Sequence, residues 1–162
     1  MNNPVDNIPV HYLYPAALFN SKEAYYIHTI LGSCVAVCLF DPVLKIGGMN
    51  HFMLPLWNGQ GLASPKYGNI AIEKLIERMI GMGSRRQNLK AKVFGGGEVI
   101  DAHSVSFQIG LRNANLAISL LEELKIPVLS SSLGGKLGRK IQFATHTGEV
   151  RMKYVQRTVN AK

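Results

Sequence analysis

The chain has 162 residues, 47% of them hydrophobic and 17% charged, with a formal net charge of +8. This length and composition predict one globular domain over residues 1–162 and argue against low-complexity disorder. The basic residues fall in small groups with no nucleic-acid motif and no stacking aromatics between them. We therefore expect a solvated basic surface that steers an acidic protein partner, and no binding of nucleic acid.

The two cysteines and the N-terminus bear on localisation. Cys34 and Cys38 lie four residues apart on a predicted strand, which separates them by roughly 13 Å and excludes a disulfide. The first residues lack the basic start and apolar run of a signal peptide. The uncharged run 24–40 is shorter than the roughly 20 residues that span a bilayer. We expect a cytoplasmic protein without membrane insertion.

The first half of the chain predicts an irregular N-terminal segment followed by strands. Residues 1–23 are rich in Pro and Asn and are expected to be irregular, with the core in residues 24–156. Strands follow over 25–31, 34–40 and 45–54, separated by turns at Gly32-Ser33 and Asp41-Pro42. Because these runs are almost continuously apolar, we expect layers packed on both faces of the sheet.

The second half predicts two helices and four strands. Ser64-Pro65 is typical of a helix N-cap followed by proline, and apolar residues then recur at helical spacing until about 81–83. A second apolar stripe predicts a helix over 110–125, before Pro127. Segment 98–107 has no clear period and receives no assignment. The remaining runs predict strands over 89–94, 128–132, 140–145 and 149–155.

Cys34 is the candidate nucleophile. It follows Gly32 and Ser33 at a strand entry, where small residues allow a substrate carbonyl to approach and expose backbone N–H groups for an oxyanion. A buried packing role is the alternative, and it is the interpretation given to Cys38. Spacing alone leaves both roles open for Cys34.

His51 is the candidate base. It lies on the run that follows the Asp41-Pro42 turn, so an adjacent antiparallel strand would bring it near Cys34. An imidazole there can take the thiol proton and later protonate a leaving amine. A hydrogen-bonded core histidine is the alternative. His28, Cys34, Cys38 and His51 lack a recognised metal-ligand spacing, so we expect no metal.

Two glycine-rich segments carry a weaker signal. Gly-Gly-Gly at 95–97 and Gly-Gly-Lys-Leu-Gly-Arg-Lys at 134–140 suggest phosphate loops, but neither has the G-x-x-x-x-G-K-[ST] order. Neither segment clearly opens a helix. We interpret both as tight turns beside an active cleft.

An ordered set of motifs runs from about Tyr25 to Tyr154. It includes Leu-Gly-Ser-Cys-Val-Ala-Val-Cys at 31–38, Gly-Gly-Met-Asn-His-Phe-Met-Leu-Pro at 47–55, Lys-Val-Phe-Gly-Gly-Gly at 92–97 and Leu-Gly-Gly-Lys-Leu-Gly-Arg-Lys at 133–140. Together these motifs resemble the CheD family of chemoreceptor glutamine deamidases. The resemblance implies an α/β (α+β) fold, a layered α-β-β sandwich of mixed sheets with two main helices, similar to bacterial toxin deamidases.

The same resemblance implies roles for individual residues. Cys34 matches the nucleophile and His51 its partner, with oxyanion donors in the backbone of Ser33 and Cys34. The family places a threonine six residues before the nucleophile, where this chain has His28, with Thr29 one step later. The orienter of His51 is therefore Thr29, His28 or a backbone carbonyl.

The resemblance also implies a function and its partners. The chain would hydrolyse receptor glutamine side chains to glutamate through a cysteine thioester, without cofactor or metal. Its partners would be the cytoplasmic helices of chemotaxis receptors and a phosphatase of the CheC type. A non-catalytic adaptor that binds receptor or phosphatase is the alternative, because His28 stands at the threonine position.

Overall fold

The computed structural model describes residues 7–98 and 108–155. These residues form nine strands and two α-helices. Helix α1 covers Gly68–Gly81 and helix α2 covers Ile109–Glu123. The strands are β1 (Val10–Tyr12), β2 (Leu18–Ser21), β3 (Tyr26–Leu31), β4 (Val35–Asp41), β5 (Ile46–Asn50), β6 (Lys90–Gly95), β7 (Val128–Leu133), β8 (Gly138–Ala144) and β9 (Val150–Val155).

The strands divide into two mixed sheets. One has four strands in the order β1-β3-β8-β9, and the other has five in the order β2-β5-β4-β6-β7. The pairs β1/β3 and β6/β7 are parallel, and the other neighbours are antiparallel. Both helices pack on the five-stranded sheet, through β2, β4 and β5 for α1 and through β4, β6 and β7 for α2. The layers are therefore α, β and β, as expected.

Two hydrophobic clusters fill the spaces between these layers. The first, which includes Val35, Val37 and Phe52, lies between the helices and the five-stranded sheet. The second, which includes Ala36, Cys38 and Met49, lies between the two sheets. Successive residues of β4 enter opposite clusters because side chains alternate along a strand. This explains the continuous apolar run and confirms that β4 is covered on both faces.

Three local expectations were wrong. Segment 1–23 is not wholly irregular, because β1 and β2 join the edges of the two sheets. Helix α1 begins at Gly68 rather than after Ser64-Pro65, since the Ser64 carbonyl accepts from the Tyr67 N–H in a turn before the helix. The strand expected over 45–54 ends at Asn50, where the Asn50 side chain, not its backbone, accepts from the Val37 N–H.

The two helices are amphipathic. Helix α1 buries residues at helical spacing, among them Ala71, Leu75 and Met79, while its charged residues face outward. Among the described helices, none is long and apolar enough to cross a membrane.

Candidate active site

Cys34 lies at the corner where the chain passes from one sheet to the other. Strand β3 of the four-stranded sheet ends at Leu31, and β4 of the five-stranded sheet begins at Val35. Gly32 and Ser33 make this passage. Cys34 is half-buried and packs against the cluster between the sheets, so its thiol lies at the rim of that layer.

The glycines after β6 press against this corner. The Gly96 N–H donates to the Cys34 carbonyl (2.9 Å) and the Gly97 N–H to the Gly32 carbonyl (3.0 Å). Gly95 has a φ of +115°, and a Cβ at this position would overlap the Cys34 carbonyl oxygen. Only glycine meets both requirements without strain. The 95–97 segment is therefore a close-approach turn beside Cys34, as expected.

His51 follows β5 and lies one residue from a bridge to the cysteine strand. Val35 and Phe52 exchange both backbone hydrogen bonds, at 3.1 and 2.9 Å. In this antiparallel register His51 stands diagonally across from Cys34, and diagonal neighbours have Cα atoms roughly 7–8 Å apart, with Cβ atoms closer. The structure thus brings both candidate residues to one end of the space between the sheets.

The hydroxyl of Thr29 joins His51 to the N-terminal segment. Thr29 Oγ1 lies 2.7 Å from His51 Nδ1 and donates to the Leu13 carbonyl, also at 2.7 Å. A hydroxyl has one proton, so the Thr29 oxygen must accept from His51 Nδ1–H. The hydrogen-bond network therefore assigns the Nδ1–H tautomer, which leaves the Nε2 lone pair available as a base.

Of the two expected orienters, only Thr29 contacts His51. Thr29 is 1% exposed and faces the space between the sheets, while His28 precedes it on β3 and, by strand alternation, faces the other side. His28 lines a surface cavity of about 230 Å³ together with Gln142 and Arg151. Thr29 rather than His28 therefore makes the contact that the orienting role requires, and the role itself stays a prediction.

Burial sets the resting protonation of the pair. It raises the pKa of the Cys34 thiol, and the Cys34 backbone N–H partly opposes this rise. It lowers the pKa of the His51 imidazole to about 4. At neutral pH the pair is therefore an uncharged thiol beside an uncharged imidazole, not a preformed ion pair.

The lowered pKa of His51 predicts an acid-sensitive fold. An imidazole in the unfolded chain has a pKa of about 6.5, so between about 6.5 and 4 the unfolded state binds a proton that the folded state does not. The free energy of unfolding should fall by up to about 3 kcal/mol on this account as the pH drops through that window. Urea unfolding of the wild type and of His51→Gln at several pH values measures it. A stability difference between the two proteins that does not change with pH would contradict the prediction.

The backbone at Ser33 and Cys34 was expected to supply oxyanion donors. Within residues 7–98 and 108–155, neither N–H donates to another residue, although the Cys34 N–H acts on its own thiol. The carbonyls of Gly32, Ser33 and Cys34 all accept hydrogen bonds, the middle one from the Asn113 side chain at 3.0 Å. The Gly32 and Ser33 carbonyls share peptide planes with the Ser33 and Cys34 N–H groups, so the hydrogen bonds to these carbonyls fix the directions of the two N–H groups. Their role as oxyanion donors stays a prediction.

Sequence reasoning gave no role to two residues of the site. Leu13 supplies the carbonyl that takes the Thr29 proton, and Asn113 of α2 reaches the carbonyls of Ser33 and Met53, both at 3.0 Å. Both act across long sequence separations, which no local pattern reveals. The second apolar stripe predicted the helix that carries Asn113 but gave no indication of its contacts.

The described residues around Cys34 and His51 include no grouping suited to a metal. The described part of the chain contains no group of three or more His, Cys, Asp or Glu side chains that could hold an ion. Cys34 and Cys38 are both free thiols, and Cys38 is 1% exposed in the core between the sheets. Burial raises the pKa of Cys38 as well, so its thiol is protected from reagents in the folded protein.

The family model and the similar proteins that match this chain point to one family, and together they cover most of its length. The family described as "CheD chemotactic sensory transduction" matches residues 53–154. Proteins of Trichlorobacter lovleyi and Sulfurimonas denitrificans are 51% and 47% identical, over 90% and 91% of this chain and 91% and 95% of their own lengths. A protein of Anaeromyxobacter dehalogenans is 45% identical over 85% of this chain and 80% of its own. These three proteins are named probable chemoreceptor glutamine deamidase CheD, the third as CheD 1.

The family match begins after Cys34 and His51. The alignments with the first two relatives cover 90% and 91% of this chain, so the unaligned residues at either end are too few to reach position 34 or 51. Among solved structures, the Bacillus licheniformis hypothetical protein YfiH aligns with a TM-score of 0.43 and 17% identity, over 68% of this chain and 50% of its own. The expected likeness to bacterial toxin deamidases stays a prediction. On the family match and the identity to these relatives, the chain belongs to the CheD family.

Proposed function

We propose that the chain is a protein-glutamine deamidase that converts glutamine side chains of chemoreceptors to glutamate, with Cys34 as nucleophile and His51 as general base and acid. The observation that carries the proposal is the contact between Thr29 Oγ1 and His51 Nδ1. This contact fixes the ring of a buried histidine and leaves its Nε2 lone pair free to act as a base. The names of the relatives supply the substrate class.

In the first half-reaction, sulfur attacks the glutamine carboxamide. The Cys34 S–H gives its proton to His51 Nε2 as the C–S bond forms, and the carbonyl electron pair moves to oxygen. Backbone N–H groups of Ser33 and Cys34 stabilise this oxyanion. The C–N bond then breaks, His51 returns the proton to nitrogen, and ammonia leaves a thioester behind.

In the second half-reaction, water hydrolyses the thioester. His51 takes a proton from water as its oxygen bonds to the acyl carbon, and the C–S bond breaks when the proton passes to sulfur. The sum is carboxamide plus water giving carboxylic acid plus ammonia, with both residues restored. Since the resting pair is uncharged, proton transfer accompanies the attack of sulfur.

The surface near His51 suits a protein substrate better than a small molecule. The segment after His51 exposes apolar side chains, with Met53 36%, Leu56 61% and Leu62 84% exposed. Exposed apolar patches are typical of protein interaction sites, and this segment is the one proposed to contact the substrate protein. The net charge of +8 favours an acidic partner. Receptor cytoplasmic helices are the proposed substrate, in the cytoplasm, and a phosphatase of the CheC type is a second proposed partner.

The reason for considering a non-catalytic adaptor no longer holds. It depended on His28 standing where the family has a threonine, and the neighbouring Thr29 makes the contact with His51 that an orienter requires. An adaptor would bind receptor without consuming glutamine. The two functions therefore differ in one product, ammonia.

Ammonia release from a purified chemoreceptor cytoplasmic fragment tests the proposal. The wild type should release ammonia in proportion to the glutamates formed, measured by a coupled glutamate dehydrogenase assay. Receptor alone and the chain alone serve as blanks. Binding of the fragment without ammonia above these blanks would favour the adaptor and reject the enzyme.

A further inference from the structure

We propose that Asn113 is a positioning residue for this reaction: its side-chain amide holds the Ser33–Cys34 peptide so that the Cys34 N–H faces the reacting carbonyl oxygen. The inference rests on the proposed function and adds a residue from α2 to it. It predicts that Asn113 acts on the oxyanion, not on the nucleophilicity of the thiol.

The contacts of Asn113 join the two halves of the site. One NH₂ group donates both of its protons, to the Ser33 carbonyl and to the Met53 carbonyl, each at 3.0 Å. Ser33 precedes the nucleophile, and Met53 lies two residues after His51. The Met53 end is also held from the other side, because its N–H donates to the Lys66 carbonyl at 2.9 Å. The Asn113 amide is thus fixed between the segment that carries Cys34 and the segment that follows His51.

Peptide geometry converts this contact into an orientation of the Cys34 N–H. In a trans peptide the carbonyl and the next N–H point in opposite directions, and the described residues contain no cis peptide bond. Because the Ser33 carbonyl points to Asn113, the Cys34 N–H must point away from α2. The Gly97 N–H holds the Gly32 carbonyl in the same manner, which orients the Ser33 N–H.

The burial of Asn113 argues against a mere packing role. The residue is 0% exposed, and its Oδ1 has no hydrogen-bond partner in the described parts of the chain. An unpaired buried oxygen destabilises a fold, so packing alone would favour an apolar side chain. Asparagine is suited to the site because it is short, uncharged and has two protons on one nitrogen.

The test compares Asn113→Ala with the wild type in two reactions at Cys34. Deamidation of the receptor fragment passes through an oxyanion, whereas alkylation by iodoacetamide does not, and the buried Cys38 does not compete. We expect kcat for deamidation to fall about a hundredfold with KM little changed, because the Cys34 N–H is no longer held toward the oxyanion. The alkylation rate should change little. Asn115→Ala, exposed on the same helix, is the matched control and should match the wild type in both reactions.

Two results would overturn the proposal: wild-type deamidation by folded Asn113→Ala, or equal losses of deamidation and alkylation. If the alanine variant does not fold, Asn113→Leu keeps the branched shape without the donors and without a buried charge, and should lose deamidation to a similar extent. If the wild type itself does not deamidate, the proposed function fails separately. A crystal structure of either variant still tests the positioning role. A Ser33–Cys34 peptide rotated from its wild-type orientation would support the role, and an unrotated peptide would refute it.

Discussion

Replacement of Cys34 by alanine is expected to abolish glutamine deamidation while the protein remains folded. Cys34 is half-buried at the rim of the core, so loss of its sulfur removes the group that forms the thioester but little packing. In hydrolases of this kind, removal of the nucleophile costs at least about ten-thousandfold in kcat. The receptor-fragment ammonia assay measures the loss, and circular dichroism reports on the fold.

Cys38→Ala is the matched control, because it removes the same atoms four residues away, from a cysteine within β4 that packs in the same cluster between the sheets. Cys38 lies in the core between the sheets, so this variant should be less stable by about 1 kcal/mol yet keep its activity. If Cys34→Ala stays active, or if Cys38→Ala loses activity without unfolding, Cys34 is not the nucleophile.

Thr29→Val should lower kcat about a hundredfold. Valine has the shape of threonine but no hydroxyl, so His51 Nδ1–H loses its acceptor and the ring loses the contact that fixes its direction. Misplacement of a catalytic group by about 1 Å can cost a hundredfold in rate. The Leu13 carbonyl also loses its donor, which lowers stability by about 1 kcal/mol or more. Receptor-fragment kinetics at a temperature where the variant is folded measure the effect.

His28→Ala is the control for Thr29→Val. It changes the neighbouring residue of β3, whose side chain faces the other side of the sheet. Its activity should equal that of the wild type. If His28→Ala were the slower of the two variants, His28 rather than Thr29 would orient His51.

Most elements could be predicted from the sequence, but their distribution between sheets could not. The alternation and apolar runs of β3 and β4 are clear, and both strands are confirmed. The short Gly32-Ser33 turn between them resembles a hairpin, yet it leads from one sheet into the other. Local pattern determines where strands occur, whereas sheet membership depends on long-range pairing such as that of β3 with β8.

For the site, cross-strand reasoning predicted that His51 would stand near Cys34, and the register agrees. Motif spacing left Thr29 and His28 both open, and the facing of side chains on β3 separates them. Asn113 received no role from the sequence because its contacts with Ser33 and Met53 span 80 and 60 residues. Such contacts exist only after α2 has packed on the five-stranded sheet.

The central claim is that this chain converts receptor glutamine to glutamate through Cys34. Tandem mass spectrometry of a chemoreceptor cytoplasmic fragment, before and after incubation with the wild type and with Cys34→Ala, tests it most directly. We predict that specific glutamine side chains change from amide to acid with the wild type and stay amides with the variant. A fragment whose glutamines are all unchanged by the wild type, or equally changed by both proteins, would contradict the claim.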